Sequence, residues 1–281
     1  MWKLKPVKRS EIMNKTFNSD ICSKCGNCAL NCPMGLIEMV DYPQIPGSEA
    51  FCNQCGHCEA ICPGGAIKLD SLSIGEVEDD KGEMNISPEQ MGFHMKFRRS
   101  IRNYDSKPVE NKKLEEIFDI VRYAPSAGNG QPLEWIIFTK PKQIKEIAGN
   151  AVEWMREMSK QDSPLNDMIP FASMVKAWDN GMDPILRDAP CLVVAHAHED
   201  NAMAYTDGVI ALTHLDLALP SFGMGGCWAG LLNIAYNQHP PLKEMLGIPP
   251  ENVMIYPFMV GYPEYKYQRI PGRNEVQVTW K

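Results

Sequence analysis

The chain contains no run of 18 consecutive apolar residues, so a membrane-spanning helix is not expected. Its first residues, MWKLKPVKRSEIMNK, are basic but carry no apolar core. A secretory signal is therefore not expected, and a cytoplasmic location is the default. Positive charge is in deficit. Lys and Arg number 28 against 35 Asp and Glu, a formal net charge of −7. A dedicated nucleic-acid binder would carry a basic face, so nucleic acid is not an expected partner. No G-x-G-x-x-G stands between a strand and a helix, which removes the dinucleotide fingerprint. A mostly disordered chain is also excluded, because 44% of the residues are apolar and 22% charged, ordinary values for a globular protein. A length of 281 residues fits one large domain or two smaller ones.

Cysteine is what the chain has in excess. Eight of its ten cysteines fall between residues 22 and 62. Cys22, Cys25, Cys28 and Cys32 read C-x2-C-x2-C-x3-C-P, and so do Cys52, Cys55, Cys58 and Cys62. The second group repeats the first at an offset of 30, with Gly26 matching Gly56, Gly35 matching Gly65 and Ile37 matching Ile67. Such a repeat marks a duplicated structural unit. Three thiolates two residues apart on a curled loop can cap three corners of one cubane, and the glycines let the backbone curl. The fourth Cys lies a turn further on and ligates the other cluster. Cys22, Cys25, Cys28 and Cys62 are thus the expected ligands of one 4Fe–4S cluster, and Cys52, Cys55, Cys58 and Cys32 those of a second. Zinc would use two Cys pairs with a longer gap, and disulfides are not expected without an export signal. The segment resembles a bacterial two-cluster ferredoxin domain. His57, inside the second motif, reads as a surface loop residue. Cys191 and Cys227 lack a C-x-x-C partner and read as buried free thiols.

The domains expected are residues 1–70 for the clusters, 71–93 as a linker and 94–281 as a second domain. The linker holds six acidic residues against Lys81, a charge of −5, and a charge run of this kind keeps a connector solvated. In the second domain, residues 111–123 show helical periodicity through Leu114, Ile117, Phe118 and Val121, ending before Pro125. Residues 135–139, 191–195 and 254–262 suit buried strands, and 205–219 a long buried helix. Residues 143–188 read as largely helical, with Trp154, Met155, Met158, Met168, Phe171, Met174 and Trp178 as core or as a pocket lid. Strands and helices do not alternate regularly, so the class is α+β.

Three runs in this domain could hold a ligand. Arg98, Arg99, Ser100 and Arg102 suit a phosphate, or form an exposed basic helix end. APSAGNGQP, 124–132, reads as an ordered loop with free amides, or as a plain turn. Asn129 and Gln131 there can each donate and accept. FGMGGCWAGLL, 222–232, offers Gly225, Gly226 and Gly230 for close approach to a flat ligand.

In this order, and followed by GYPEYKYQRIPGR, these runs resemble the nitroreductase family of flavoproteins over residues 94–281. The resemblance implies an α+β fold, a homodimer, and FMN at the dimer interface. Arg98, Arg99, Ser100 and Arg102 would hold the phosphate and ribityl end. Pro125, Ser126, Ala127 and Asn129, joined by Gln131, would reach the flavin from the partner subunit. Trp228, Ala229, Gly230 and Leu231 would face the ring, and Arg273 with Arg269 would close on the phosphate. The sequence departs from the family after QP, where Leu133 replaces a frequent aromatic; Trp135 is the expected substitute. No side chain stands out as a catalytic acid or base.

The two halves together imply an oxidoreductase in which iron–sulfur clusters feed FMN, which reduces a small electrophile: a nitroaromatic, a quinone or an activated alkene. The external donor would be a ferredoxin, a flavodoxin or NAD(P)H. The alternatives are an NAD(P)H-dependent reductase with the clusters as electron exit, and a non-catalytic electron carrier or redox sensor.

Overall fold

The computed structural model describes residues 15–45, 51–69 and 86–281, and the chain divides into two compact units. The first takes the cysteine repeats together with Ser126–Gln131; the second takes Ile86–Pro125 and Pro132–Lys281. Residues 71–85 of the expected linker lie outside the described residues.

In the first unit, β1 (Lys15–Phe17) pairs antiparallel with β4 (Ile67–Leu69), Thr16 facing Lys68. Between them come α1 (Asn27–Leu30), β2 (Glu38–Met39), β3 (Pro43–Gln44) and α2 (His57–Ala60), with β2 and β3 paired antiparallel. The repeat is conformational as well as sequential. Gly26 and Gly56 both take φ 75 as N-caps of α1 and α2, a left-handed geometry that glycine adopts without steric cost. Lys24 (φ 56) and Gln54 (φ 51), also 30 residues apart, share it too. His57 is exposed, at the start of α2.

The second unit opens with α3 (Pro88–Phe97). Its first six residues fall inside the stretch expected as linker, which is therefore shorter than 71–93. The cause is local: Ser87 and Gln90 form a reciprocal capping box and Pro88 occupies the first turn, both helix-starting signals. Then follow α4 (Asn111–Val121), β5 (Glu134–Phe138), α5 (Pro141–Met158), α6 (Pro164–Met168), α7 (Phe171–Asp179), β6 (Cys191–His198) and α8 (Ala204–Ala218). The unit closes with β7 (Gly225–Trp228), α9 (Gly230–Gln238), α10 (Pro241–Leu246) and β8 (Asn252–Gly261).

The four strands form one antiparallel sheet in the order β5-β6-β8-β7. Helices cover both of its faces, which explains the unbroken apolar run in β6. Leu192 and Val194 pack with α5, α7, α9 and α10 in one core layer. Cys191, Val193, Ala195 and Ala197 pack with α4 and α8 in the other. The period of two along β6 thus divides one strand between two cores. Trp154, Met155 and Phe171 are buried, and Met158, Met174 and Trp178 pack against them. Met168 differs: it is 82% exposed at the end of α6. Cys191 and Cys227 are buried thiols. Among the described residues no helix is long and apolar enough to cross a membrane.

Candidate functional site: two thiol-lined cavities and a basic segment on the sheet

The first unit holds two cavities, and the chain returns a cysteine from each repeat to the other's cavity. One is lined by Cys22, Cys25, Cys28 and Cys62. The other is lined by Cys52, Cys55, Cys58 and Cys32. Pro33 and the αL glycines Gly35 and Gly65 turn the chain after each fourth cysteine. Backbone amides point at the sulfurs: Leu36 N–H donates to Cys32 Sγ at 3.4 Å and Ala66 N–H to Cys62 Sγ at 3.2 Å. Such bonds stabilise thiolate charge and tune a bound cluster. The remaining walls are apolar, with Ile37, Ile45 and Leu69 in one and Phe17, Met39 and Ile67 in the other. Among the described residues no three His, Cys, Asp or Glu side chains converge as a single metal ion requires. Four thiols around each cavity with no point where three of them meet fit a polynuclear centre better than one zinc ion at about 2.3 Å from each sulfur.

The second feature lies along the edge of the sheet in the second unit. The segment after α3 runs beside β7 and the end of β8: Ile101 N–H donates to Gly226 O at 2.9 Å, Asp105 N–H to Tyr262 O at 2.9 Å, and Tyr104 pairs with Pro263. This brings the basic run and the glycine-rich run together. Arg98 Nη1 lies 3.1 Å from Asp216 Oδ2 on α8. Burial raises the Asp216 carboxyl above its ordinary value, and Arg98 pulls it partly back. Asp216 Oδ1 and Arg99 Nε are buried without a hydrogen-bond partner. Arg99 also donates to Lys96 O. Burial raises the Cys227 thiol, opposed by Arg102 and Ser100. Arg102 is exposed. Asp216 was not singled out above; its signal is a carboxylate within an otherwise apolar helical stretch.

Gly225 and Gly226 are closed against the core. A Cβ on Gly225 would meet Ile101 Cγ1 at 2.4 Å, and one on Gly226 would meet the Phe258 ring at 2.0 Å. What approaches these two is the protein's own core. At Gly230 the nearest atom, Tyr256 Oη, would be 3.4 Å away. Two glycines in succession conceal a strand from sequence reading, and β7 was not anticipated. Ala229 is buried and its N–H donates to Pro257 O, so it does not present an open face. Trp228 packs edge-on against Tyr256 and Phe258 at 5.1 and 5.6 Å. Gly230 and Leu231 begin α9, where amides have no intrahelical acceptor.

The loop 126–131 is ordered, but its amides are not free. Asn129 N–H donates to Ser126 O, Gly130 N–H to Ala127 O, and Gln131 N–H to Ser126 Oγ. Gly128, Asn129 and Gln131 all have positive φ. Asn129 Nδ2 is committed within the first unit, donating to Asn53 O at 3.2 Å and Gln54 O at 3.1 Å. Asn53 and Gln54 were not singled out from the sequence. Trp135 stacks edge-on with Phe118, and both it and Leu133 are partly buried against the same core layer. Pro125 is exposed. Arg269 and Arg273 are exposed, and Arg273 bonds to neighbouring Gly272 O. Among the described residues neither is joined to the Arg98–Arg102 run.

An antiparallel sheet between two helical layers, with a basic segment on its edge and a thiol-lined unit ahead of it, defines a two-part redox protein. Residues 95–262 match the nitroreductase family and residues 21–67 match the 4Fe-4S dicluster domain. The first match spans more than half the chain, and the protein belongs to the nitroreductase family. Among curated relatives, the FMN reductase [NAD(P)H] of Bacillus subtilis is 26% identical over 62% of this chain and 66% of its own. The iodotyrosine deiodinase of Nematostella vectensis is 24% identical over 60% and 65%. A solved nitroreductase with bound FMN from Bacteroides fragilis superposes with a TM-score of 0.54 at 20% identity, covering 66% of this chain and 97% of that one. At that identity the likeness shows the fold alone.

Proposed function

We propose that the protein is an iron–sulfur flavoprotein oxidoreductase that passes electrons from two 4Fe–4S clusters to FMN and on to a small electrophile. One observation carries the reading: four crossed cysteines line each of two cavities, in a chain whose other unit has the nitroreductase fold. FMN appears in the names of the Bacillus relative and the Bacteroides structure. When bound, it would couple one-electron carriers to two-electron chemistry.

The residues present fit that group. Arg102 is the cation least committed to protein partners, while Asp216 engages Arg98; Arg102 is therefore the main phosphate anchor, with Ser100 beside it. The buried, partnerless Arg99 Nε retains a donor for the same end. The first amides of α9, at Gly230 and Leu231, present N–H groups and the positive helix end to an electron-rich ring edge. Leu36 and Ala66 amides hold thiolate charge on the cluster side. The working assembly is a homodimer, in which Pro125, Ser126 and Ala127 serve the partner's flavin and Arg269 and Arg273 meet a phosphate on the other chain. The acceptor is a nitroaromatic, quinone or activated alkene, and the donor a low-potential one-electron protein.

Anaerobic protein should contain about eight irons and eight acid-labile sulfides per chain, four for each cubane, and one FMN. A turnover assay with reduced protein and a nitroaromatic checks the activity. About four irons, or no bound flavin, would overturn the cofactor assignment. Rapid flavin reduction by NADPH with no one-electron donor would instead favour a pyridine-nucleotide reductase.

A further inference from the structure

The two cysteine loops share a backbone but not their surroundings. In the first, the residues between the leading ligands are Ser23 and Lys24; in the second they are Asn53 and Gln54. Cys25 is exposed, whereas Cys55 is partly covered. The Lys24 ammonium lies 4.3 Å over the Tyr42 ring, next to the first cavity. The second loop is instead capped: Asn129 Nδ2 bonds both carbonyls, Asn53 O and Gln54 O. Asn129 belongs to Ser126–Gln131, six residues that leave the flavin-fold sequence to join the cluster unit. A single amide thus bonds two of the three peptide groups that separate Cys52 from Cys55. Peptide orientation governs which N–H dipoles face a cluster, and so its potential.

We propose that Asn129 is a positioning residue for the cluster of the second loop, held by Cys52, Cys55 and Cys58, and that its amide sets that cluster's potential apart from the first's. This rests on the cluster-to-flavin reading above. Each cluster takes one electron at a time from an external donor, and two such electrons with one solvent proton reduce FMN by two electrons. Two equivalents of donor are oxidised.

The test uses the full, loaded protein. Midpoint potentials of both clusters are read by electron paramagnetic resonance titration in wild type, Asn129→Ala and Asn129→Gln. Cys25→Ser and Cys55→Ser variants assign the two signals. Loss of the Asn129 amide should lower the second cluster's potential by roughly tenfold in its reduction equilibrium, about 59 mV for one electron. The first cluster should hold its value, and Asn129→Gln should restore part of the shift. Equal shifts in both clusters, or a weaker FMN affinity with neither cluster moved, would overturn the proposal. If wild-type clusters never reduce FMN, the functional reading fails, and the potentials still report whether Asn129 acts on the second cluster.

Discussion

The two units reach stability by different routes. Among the described residues the first buries only four apolar side chains, Cys28, Ala66, Ile67 and Leu69. The second buries two full layers around its sheet, with Ile117, Leu186, Leu192, Leu212 and Leu232 wholly out of solvent. Fully burying one such side chain is worth about 1.5–3 kcal/mol, so the second unit has a core that can fold it. Among its described residues the first offers no such layer, and its thiols surround space instead of filling it. Small domains of this kind draw folding free energy from a bound metal centre. On the reading proposed above, clusters would hold the first unit where burial holds the second, and each part should fail under a different insult.

The sharpest test of that contrast is to remove the iron. Anaerobic chelation should unfold the first unit, giving rapid proteolysis within residues 15–69, while the second melts as before. Five of the six tryptophans, Trp135, Trp154, Trp178, Trp228 and Trp280, belong to the second unit, so intrinsic fluorescence follows it selectively. Loss of both units together would break the comparison.

A smaller effect is expected from Arg102→Ala, which acts on the second unit only. Charge-assisted hydrogen bonds contribute about 1.5–3 kcal/mol each, so FMN affinity should fall roughly tenfold to a hundredfold. Riboflavin, which lacks the phosphate, should bind the variant nearly as it binds wild type, and the iron–sulfur spectrum should not change. Equal losses for both ligands in a fluorescence titration would refute the phosphate role.

The smallest effect concerns pH. His196 is buried at the sheet end, its Nδ1 2.8 Å from Asn252 Nδ2, and Asn252 also donates to Glu134 Oε1. Burial lowers its pKa, with Glu134 opposing. A histidine with a depressed folded pKa binds fewer protons folded than unfolded. Its stability contribution is therefore present above the unfolded value near 6.5 and is lost as pH falls toward the folded pKa. Thermal melts of the second unit should drop over that window, and His196→Gln should flatten the slope. An unchanged slope in the variant would exclude His196 as the source.

Legibility in the sequence follows the same division. The gathering of Cys22 to Cys62 around two cavities was readable because it depends on spacing along the chain, and the chain displays spacing directly. The amphipathic helix at 111–121 and the apolar run of β6 were readable because burial writes periodicity. Gly225 and Gly226 were not, since a glycine made necessary by Ile101 or Phe258 looks like one made necessary by a ligand. Asn129 misled for a related reason: its amide suits a flavin edge or a peptide carbonyl equally well, and only the fold shows it on Asn53 and Gln54. The start of α3 was visible in Ser87, Pro88 and Gln90, but the acidic stretch before it dominated the reading.

The crossed lining of the two cavities also bears on ancestry. Cys32 lines the second loop's cavity and Cys62 the first's, so a lone thirty-residue copy would own three thiols for one centre and lend its fourth to a neighbour. Two identical copies related by a twofold axis would satisfy each other. Tandem fusion releases them from being identical, and Lys24 and Gln54 now occupy equivalent positions with the same backbone angle. As positions of one chain the two loops can differ in their surroundings, which two identical copies cannot.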